Sequence, residues 1–294
     1  MDVDTRLLRY FAAVAAEGNL TRAAERLYVS QPALTKQVKQ LERELGVELF
    51  ARSKSGMALT GPGRVLADRV PGLLEGWDLT QRAVKAEAAR QAKVLRIGFL
   101  ASAANEATPK IIAGFAKLRP QWRVEMRQSS WSDPTAGLAG GEVDAALVRL
   151  PFAGQEHWNL EELLTEPRCV AMEAAHPLAE RPVLDFLDLL DEPFVAAPAE
   201  TGEWRDYWLA VSQRGGHPAR IGAVTEHPDD WLSAIANGYG IALAPESASR
   251  FYARPGIVYR PVNGIPPTKV ALAWPDDPGP VLRDFIETCR AAAR

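Results

Sequence analysis

Between Asn19 and Thr60 the chain has few folds open to it. Leu34, Val38, Leu41 and Leu45 recur at steps of four, three and four, which puts them in one stripe along a helix. Ser30 stands where an N-cap belongs, and Pro32 is tolerated because amides of the first turn have no intrahelical partner. Gly46 closes the helix in the manner of a C′ residue. A shorter helix precedes it, with Thr21 as its expected cap, Ala23, Ala24 and Leu27 facing inward, and Tyr28-Val29 forming the turn. Earlier still, Leu7, Leu8, Phe11, Val14 and Ala15 predict an amphipathic helix over residues 4–17, ended by Gly18-Asn19. Small alanines at the crossing allow the helices to approach closely.

The face opposite the Leu34–Leu45 stripe presents Gln31, Thr35, Lys36 and Lys39. These side chains suit the DNA major groove. Gln pairs with adenine edges, Thr meets a thymine methyl, and Lys reaches guanine acceptors or phosphate. The free amides near Gln31 favour a phosphate. After Phe50 an extended basic arm carries Arg52 and Lys54, placed for backbone phosphates that position without reading sequence. Ser30, Pro32 and Thr21 complete the candidate DNA-binding surface. A single Lys-x-x-Lys would read as a solvated helix face; the cap, proline, two-helix unit and basic arm together point to a DNA reader.

This stretch resembles the winged helix-turn-helix of LysR-type transcriptional regulators. The resemblance is carried by Ala23-Ala24, by Ser-Gln-Pro-Ala-Leu at 30–34, and by Leu-Glu-x-x-Leu-Gly-x-x-Leu-Phe-x-Arg at 41–52, continued by Leu59-Thr60. It implies that Gln31, Pro32, Thr35 and Lys36 contact bases or adjacent backbone, with Arg52 on a phosphate. The fold it implies is an N-terminal all-α winged helix-turn-helix over 1–60, a linker and dimerisation helix over 61–91, and an α/β two-lobed effector domain over 92–294. That domain would resemble type 2 periplasmic binding proteins, with lobe I at 92–165 and 267–294 and lobe II at 166–266.

Charge follows the same division. The net charge is −3, yet residues 1–90 carry 14 Lys+Arg against 11 Asp+Glu, a net of +3. The mild excess implies few phosphate contacts per subunit, hence a dimer or tetramer on double-stranded DNA. At 294 residues, 47% hydrophobic and 24% charged, the composition is that of a globular protein of two or three domains. No apolar run approaches the roughly 18–20 residues that span a bilayer. The opening MDVDTRLLRYF does not read as a secretory signal, so bacterial cytoplasm is expected and no membrane partner. Cys169 and Cys289 lack CxxC neighbours and read as buried free thiols, so no metal or other cofactor is expected.

In the linker, Leu66, Val70, Leu73, Trp77 and Val84 keep an a/d-like spacing and predict a pairing seam. Pro71-Gly72 interrupts it, predicting a kink near 67–71 or a restart at Pro71. From residue 93, strands alternate with helices: strands at 94–100, 122–128 and 143–150, helices at 107–118 and 203–213, a helix end near Gly137-Leu138, and further segments at 168–179, 192–198 and 231–247. Mostly parallel sheets are expected. Crossovers near 165–167 and 261–267 would join the lobes.

Ligands in such sheets bind beyond strand carboxyl ends. That rule selects Ala101, Ser102, Ser129, Ser130 and Trp131 from one lobe and Pro198, Glu200, Thr201 and Glu226 from the other. Ser102 and Ser129 read equally as helix caps, and Trp131 reads first as a packing residue. Glu200 and Glu226, if they line the cleft, disfavour an anionic ligand. An enzyme finds no Gly-x-Ser-x-Gly, P-loop or His-Glu-x-x-His here, and a transport receptor would need export. The resemblance adds a small-molecule effector and RNA polymerase as partners.

Overall fold

The computed structural model describes residues 4–53, 56–100 and 106–293, with the side chains of Arg52 and Ser53 outside the description. The chain divides into two compact units, Met1–Val84 and Lys85–Arg294.

In the first unit, α1 (Thr5–Glu17), α2 (Leu20–Arg26) and α3 (Gln31–Leu45) bury Leu7, Phe11, Val14, Ala23, Ala24, Leu34, Val38 and Leu41 in one core. Ser30 caps α3, its hydroxyl accepting from the Ala33 amide, and Gly46 ends the helix with φ of 69°. The cap of α2 is Asn19 rather than Thr21. Its carboxamide oxygen accepts from the Thr21 amide at 2.8 Å and the Arg22 amide at 3.2 Å, and Thr21 stands exposed in the first turn. Asn19 wins because its short side chain satisfies both orphan amides from an extended backbone.

The basic arm is an antiparallel hairpin of β1 (Phe50–Ser53) and β2 (Gly56–Leu59). It is followed by α4 (Gly61–Gln91), which runs unbroken through Pro71 and does not restart there. A Cβ on Gly63 would lie 2.0 Å from the Leu49 carbonyl oxygen, so glycine is what lets α4 approach the hairpin entry. The expected pairing seam splits in two. Val70 is fully buried, and Leu66, Ala67 and Leu74 pack beside it on the unit's own core at helical spacing. Leu73, Trp77 and Val84 remain exposed.

The second unit contains two layers of sheet. Its elements are β3 (Val94–Phe99), α5 (Thr108–Leu118), β4 (Arg123–Gln128), β5 (Ala145–Leu150), β6 (Asn159–Glu166), β7 (Arg168–Glu173), β8 (Leu184–Asp185) and β9 (Pro193–Ala196). They continue with α6 (Glu203–Trp208), β10 (Arg220–Val224), α7 (Pro228–Ala236), β11 (Ala242–Pro245), α8 (Ala248–Phe251), β12 (Ile257–Asn263), β13 (Thr268–Trp274) and α9 (Pro280–Ala293). One five-stranded sheet has the order β4-β3-β5-β13-β6. A four-stranded sheet has the order β11-β7-β12-β8, and a parallel bridge from Phe194 to Ile241 attaches the β9–β10 pair to it.

Both layers are mixed rather than mostly parallel. β3 runs parallel to β4 and β5, but β13 is antiparallel to β5 and β6, and β7 is antiparallel to β11 and β12. The antiparallel strands flank the two places where the chain changes sheets, at Pro167 between β6 and β7 and over 264–267 between β12 and β13. Residues 131–144 are turns without the expected helix end. The Trp-rich helix stops at Trp208, because Ala210 adopts φ of 50° and the chain continues as a 3-10 turn. Each layer has its own apolar cluster, one around Ile97, Phe115, Leu272 and Phe285, the other around Val170, Phe186, Phe194 and Leu243.

Candidate functional site

In the first unit the outer face of α3 has the expected composition. Ser30, Gln31, Pro32, Lys36 and Lys39 are exposed, and Thr35 is half-buried. The Gln31 amide donates to Thr35 Oγ1 at 3.1 Å, while that hydroxyl donates to the Gln31 carbonyl at 2.9 Å. The pair holds two candidate base-reading groups in one orientation. Neither Lys36 nor Lys39 makes an ion pair among the described residues, so both charges are available to phosphate or base. A shallow groove is lined by Pro32, Thr35, Lys36, Lys39 and Arg43 on the helix and by Val47 beyond it.

Sequence reasoning passed over Glu42. Its Oε1 accepts from the amides of Leu49 (2.8 Å) and Phe50 (3.2 Å), tying α3 to the first strand of the hairpin. A Glu four residues before the C-cap, with a hairpin ahead, was the available signal. The Arg52 side chain and Lys54 lie outside the described residues.

In the second unit the two sheets face each other across a cleft held at three places. Ser130 Oγ and Ser132 Oγ each donate to Glu226 Oε2 at 3.2 Å, and the Trp131 amide donates to the Glu226 carbonyl at 2.9 Å. At the sheet-changing strands, Arg149 Nη2 bonds Glu166 Oε1 at 3.0 Å. Glu166 also accepts from the Ser247 amide (2.8 Å) and hydroxyl (3.1 Å). Arg149 and Glu166 are 3% and 7% exposed, so this pair is desolvated. Burial pulls the Arg149 pKa below its ordinary value, with Glu166 opposing. Arg250 and Glu106 form a third, solvent-exposed pair at 2.5 Å, and the Arg250 guanidinium lowers the Glu106 pKa.

Between these contacts lies a cavity of about 80 Å³. Four indoles line it. Trp131 meets Trp231 edge-on at 6.0 Å and Trp204 at 6.4 Å, and Trp204 meets Trp208 at 6.0 Å. Leu100, Arg149, Arg205 and Tyr252 share the wall with small and aliphatic residues of β9 and β11, among them Val195, Ala196, Leu243 and Ala244. Ser130, Trp131 and Glu226 of the expected ligand residues thus come together, but Ser130 and Glu226 bond each other. The Thr201 hydroxyl donates to the Pro198 carbonyl at 2.7 Å, so it serves its own turn. Pro198 is buried, Glu200 is exposed away from any ion pair among the described residues, and Ser129 is half-buried beside His227 and Asp229. Ala101 and Ser102 lie outside the described residues. Arg149, Trp204, Arg205, Trp208, Trp231 and Tyr252 were missed. Arg149 in an otherwise apolar strand, and Trp204 and Trp208 one helical turn apart, were the readable signs.

Cys169 and Cys289 are free and buried in separate apolar clusters, and burial pushes each thiol up to about 12. Among the described residues no group of His, Cys, Asp and Glu side chains is arranged to hold a metal, and no helix is long and apolar enough to cross a membrane.

The helix-turn-helix with its hairpin and the two-layered domain each match a family. Residues 5–64 match the model of the bacterial regulatory helix-turn-helix protein, lysR family, and residues 88–294 match the LysR substrate binding domain. The chain belongs to the LysR family. This LysR-family chain is 30% identical over 287 residues to the Hca operon transcriptional activator HcaR of Escherichia coli (strain K12), covering 97% of this chain and 96% of that protein. It is 29% identical over 295 residues to the transcriptional regulator AlsR of Bacillus subtilis (strain 168), covering 97% and 94%. Among solved structures it aligns with a full-length OxyR variant from Pseudomonas aeruginosa at a TM-score of 0.54 and 29% identity, over all of both chains. The LysR-family chain is a DNA-binding transcriptional regulator with an effector-responsive C-terminal domain.

Proposed function

We propose that Gln31, Thr35 and Lys36 read base edges, that Ser30, Pro32, Lys39, Arg52 and Lys54 position the helix on the backbone, and that an effector bound between the two sheets switches the assembly. The reader occupies 1–60, the linker helix 61–91 and the effector domain 92–294. The observation that carries the first part is the exposed face of α3, whose two lysines lack ion pairs among the described residues while Leu34, Val38 and Leu41 on its opposite face are buried. Exposed Leu73, Trp77 and Val84, on α4 beyond Val70, support pairing with another copy. Two copies then place recognition helices in successive major grooves, with half-sites about one helical turn, or a multiple of it, apart. The regulator works in the bacterial cytoplasm, and effector binding changes subunit packing, DNA bending and contact with RNA polymerase.

Footprinting and gel-shift titration of the full chain on its operator test this reading. Lys36→Ala is expected to cost about 1–3 kcal/mol of discrimination between operator and random DNA. Lys39→Ala is expected to weaken both alike and to reduce the salt slope by about one. Equal losses on all sequences for Lys36→Ala would move that residue to the phosphate class.

A further inference from the structure

The cleft cavity has a chemistry narrower than that of a general metabolite site. Four indoles form much of its wall, two of their contacts edge to face and the Trp131–Trp204 contact tilted, and a planar ring fits among such walls by offset or edge contact. Its two charged side chains are both cations, and Tyr252 adds a phenol that can donate or accept. Arg149 is matched by Glu166, but Arg205 makes no ion pair among the described residues. The indole Nε1 atoms of Trp204 and Trp208 are buried with no acceptor among the described residues. An indole N–H only donates, and a buried donor without a partner is costly. Among the described residues no carboxylate lines the cavity. Glu226, expected to repel anions, is occupied by Ser130 and Ser132.

Indole faces also attract cations. Two guanidiniums with a single carboxylate partner between them oppose that occupant. We propose that this cavity binds a small planar aromatic anion, with its ring among the indoles and its charge on Arg205. The proposal rests on the reading of the cleft as the effector site and names the effector's class. Size adds a consequence. At about 80 Å³ the cavity is well below the ~150 Å³ of an engineered cavity that admits benzene. A ring seated in it displaces one or more of the walls. Trp131 is one of those walls, and its amide donates to the Glu226 carbonyl, which puts the Glu226 clasp beside a wall that moves.

The test is a titration of the full-length protein with benzoate, benzyl alcohol, benzylammonium and acetate, read by thermal shift and intrinsic tryptophan fluorescence. Benzoate is expected to raise Tm and change the fluorescence, and the neutral ring, the cationic ring and the ringless anion to do neither at equal concentration. Arg205→Gln is expected to weaken benzoate binding about tenfold to hundredfold, the loss of one charge-assisted hydrogen bond. Arg205→Lys keeps the charge and is expected to recover part of the affinity, which separates a folding defect from a binding one. No response to benzoate, an equal response to benzylammonium or acetate, or unchanged benzoate affinity in Arg205→Gln overturns the proposal. A non-aromatic metabolite that stabilises the protein and shifts its operator footprint, with benzoate inert, overturns the ligand class and leaves the effector reading standing. Benzoate binding that leaves the footprint unchanged overturns the effector reading instead.

Discussion

Glu166→Gln probes the junction where the chain changes sheets. The native carboxylate receives three hydrogen bonds, from Arg149 Nη2, the Ser247 amide and the Ser247 hydroxyl, at 2.8–3.1 Å. A glutamine has nearly the same shape but one acceptor oxygen and no charge. It can still serve Ser247, but the guanidinium of Arg149, 3% exposed, loses the negative charge that offsets its desolvation. Removing one partner of a buried pair costs about 3–5 kcal/mol, most of it the charge left behind. For a unit of this size each kcal/mol moves Tm by about 2–4 °C, so a fall of about 6–20 °C is expected. Seven of the eight tryptophans lie beyond residue 84, so tryptophan fluorescence during urea or thermal unfolding reports this unit. The diagnostic companion is Arg149→Met combined with Glu166→Gln. If charge burial is the mechanism, removing the guanidinium as well recovers much of the loss, a coupling of the kind double-mutant cycles measure. A single variant within about 1 kcal/mol of the parent, or a double variant no better than the single, would refute the argument.

Three further outcomes follow from other contacts. Glu42→Ala leaves the Leu49 and Phe50 amides without their acceptor; it is expected to destabilise the first unit by about 1–3 kcal/mol and to weaken operator and random DNA equally, checked by unfolding and gel shift. Glu226→Ala frees Ser130 and Ser132, leaves the backbone bond to Trp131, and is expected to cost only about 0.5–1.5 kcal/mol while raising hydrogen exchange at residues 130–132. Both thiols sit near 12 when folded, above their unfolded value of about 8.5, so their contribution to stability is complete below that pH and is lost as pH rises above it. Urea midpoints should therefore fall between about pH 8.5 and 10, less so in a Cys169→Ala, Cys289→Ala variant, and iodoacetamide should label neither cysteine of the folded protein at pH 8.

The first unit was legible in the sequence because its signals are local. A stripe repeating over one helix, a cap, a proline and a closing glycine each constrain residues within a few positions, and α1 and α3 form as those signals dictate. The misassigned cap at Thr21 shows the resolution of such reasoning. Asn19 and Thr21 both have side chains able to cap, and only the backbone path decides between them. The seam on α4 failed differently. A four-three-four spacing says that a face is apolar, not what covers it, and Leu66 and Val70 are covered by the unit's own core. The cleft was hardest, because its chemistry comes from residues more than 100 positions apart. Loops after strands do come together, since Ser130, Trp131 and Glu226 meet there. Yet a hydroxyl in such a loop is as free to bond its neighbours as a ligand, and Thr201, Ser130 and Ser132 do so. What the loops leave over is the wall behind them. An arginine inside an apolar strand and two tryptophans one turn apart carry no motif, and they acquire meaning only when β5 and α6 are brought to the same cavity. In a domain whose hydroxyls hold the lobes to one another, Arg205 at the cavity makes no ion pair among the described residues and two indole N–H donors of its wall lack an acceptor there, and these are the groups that the proposed anion would meet.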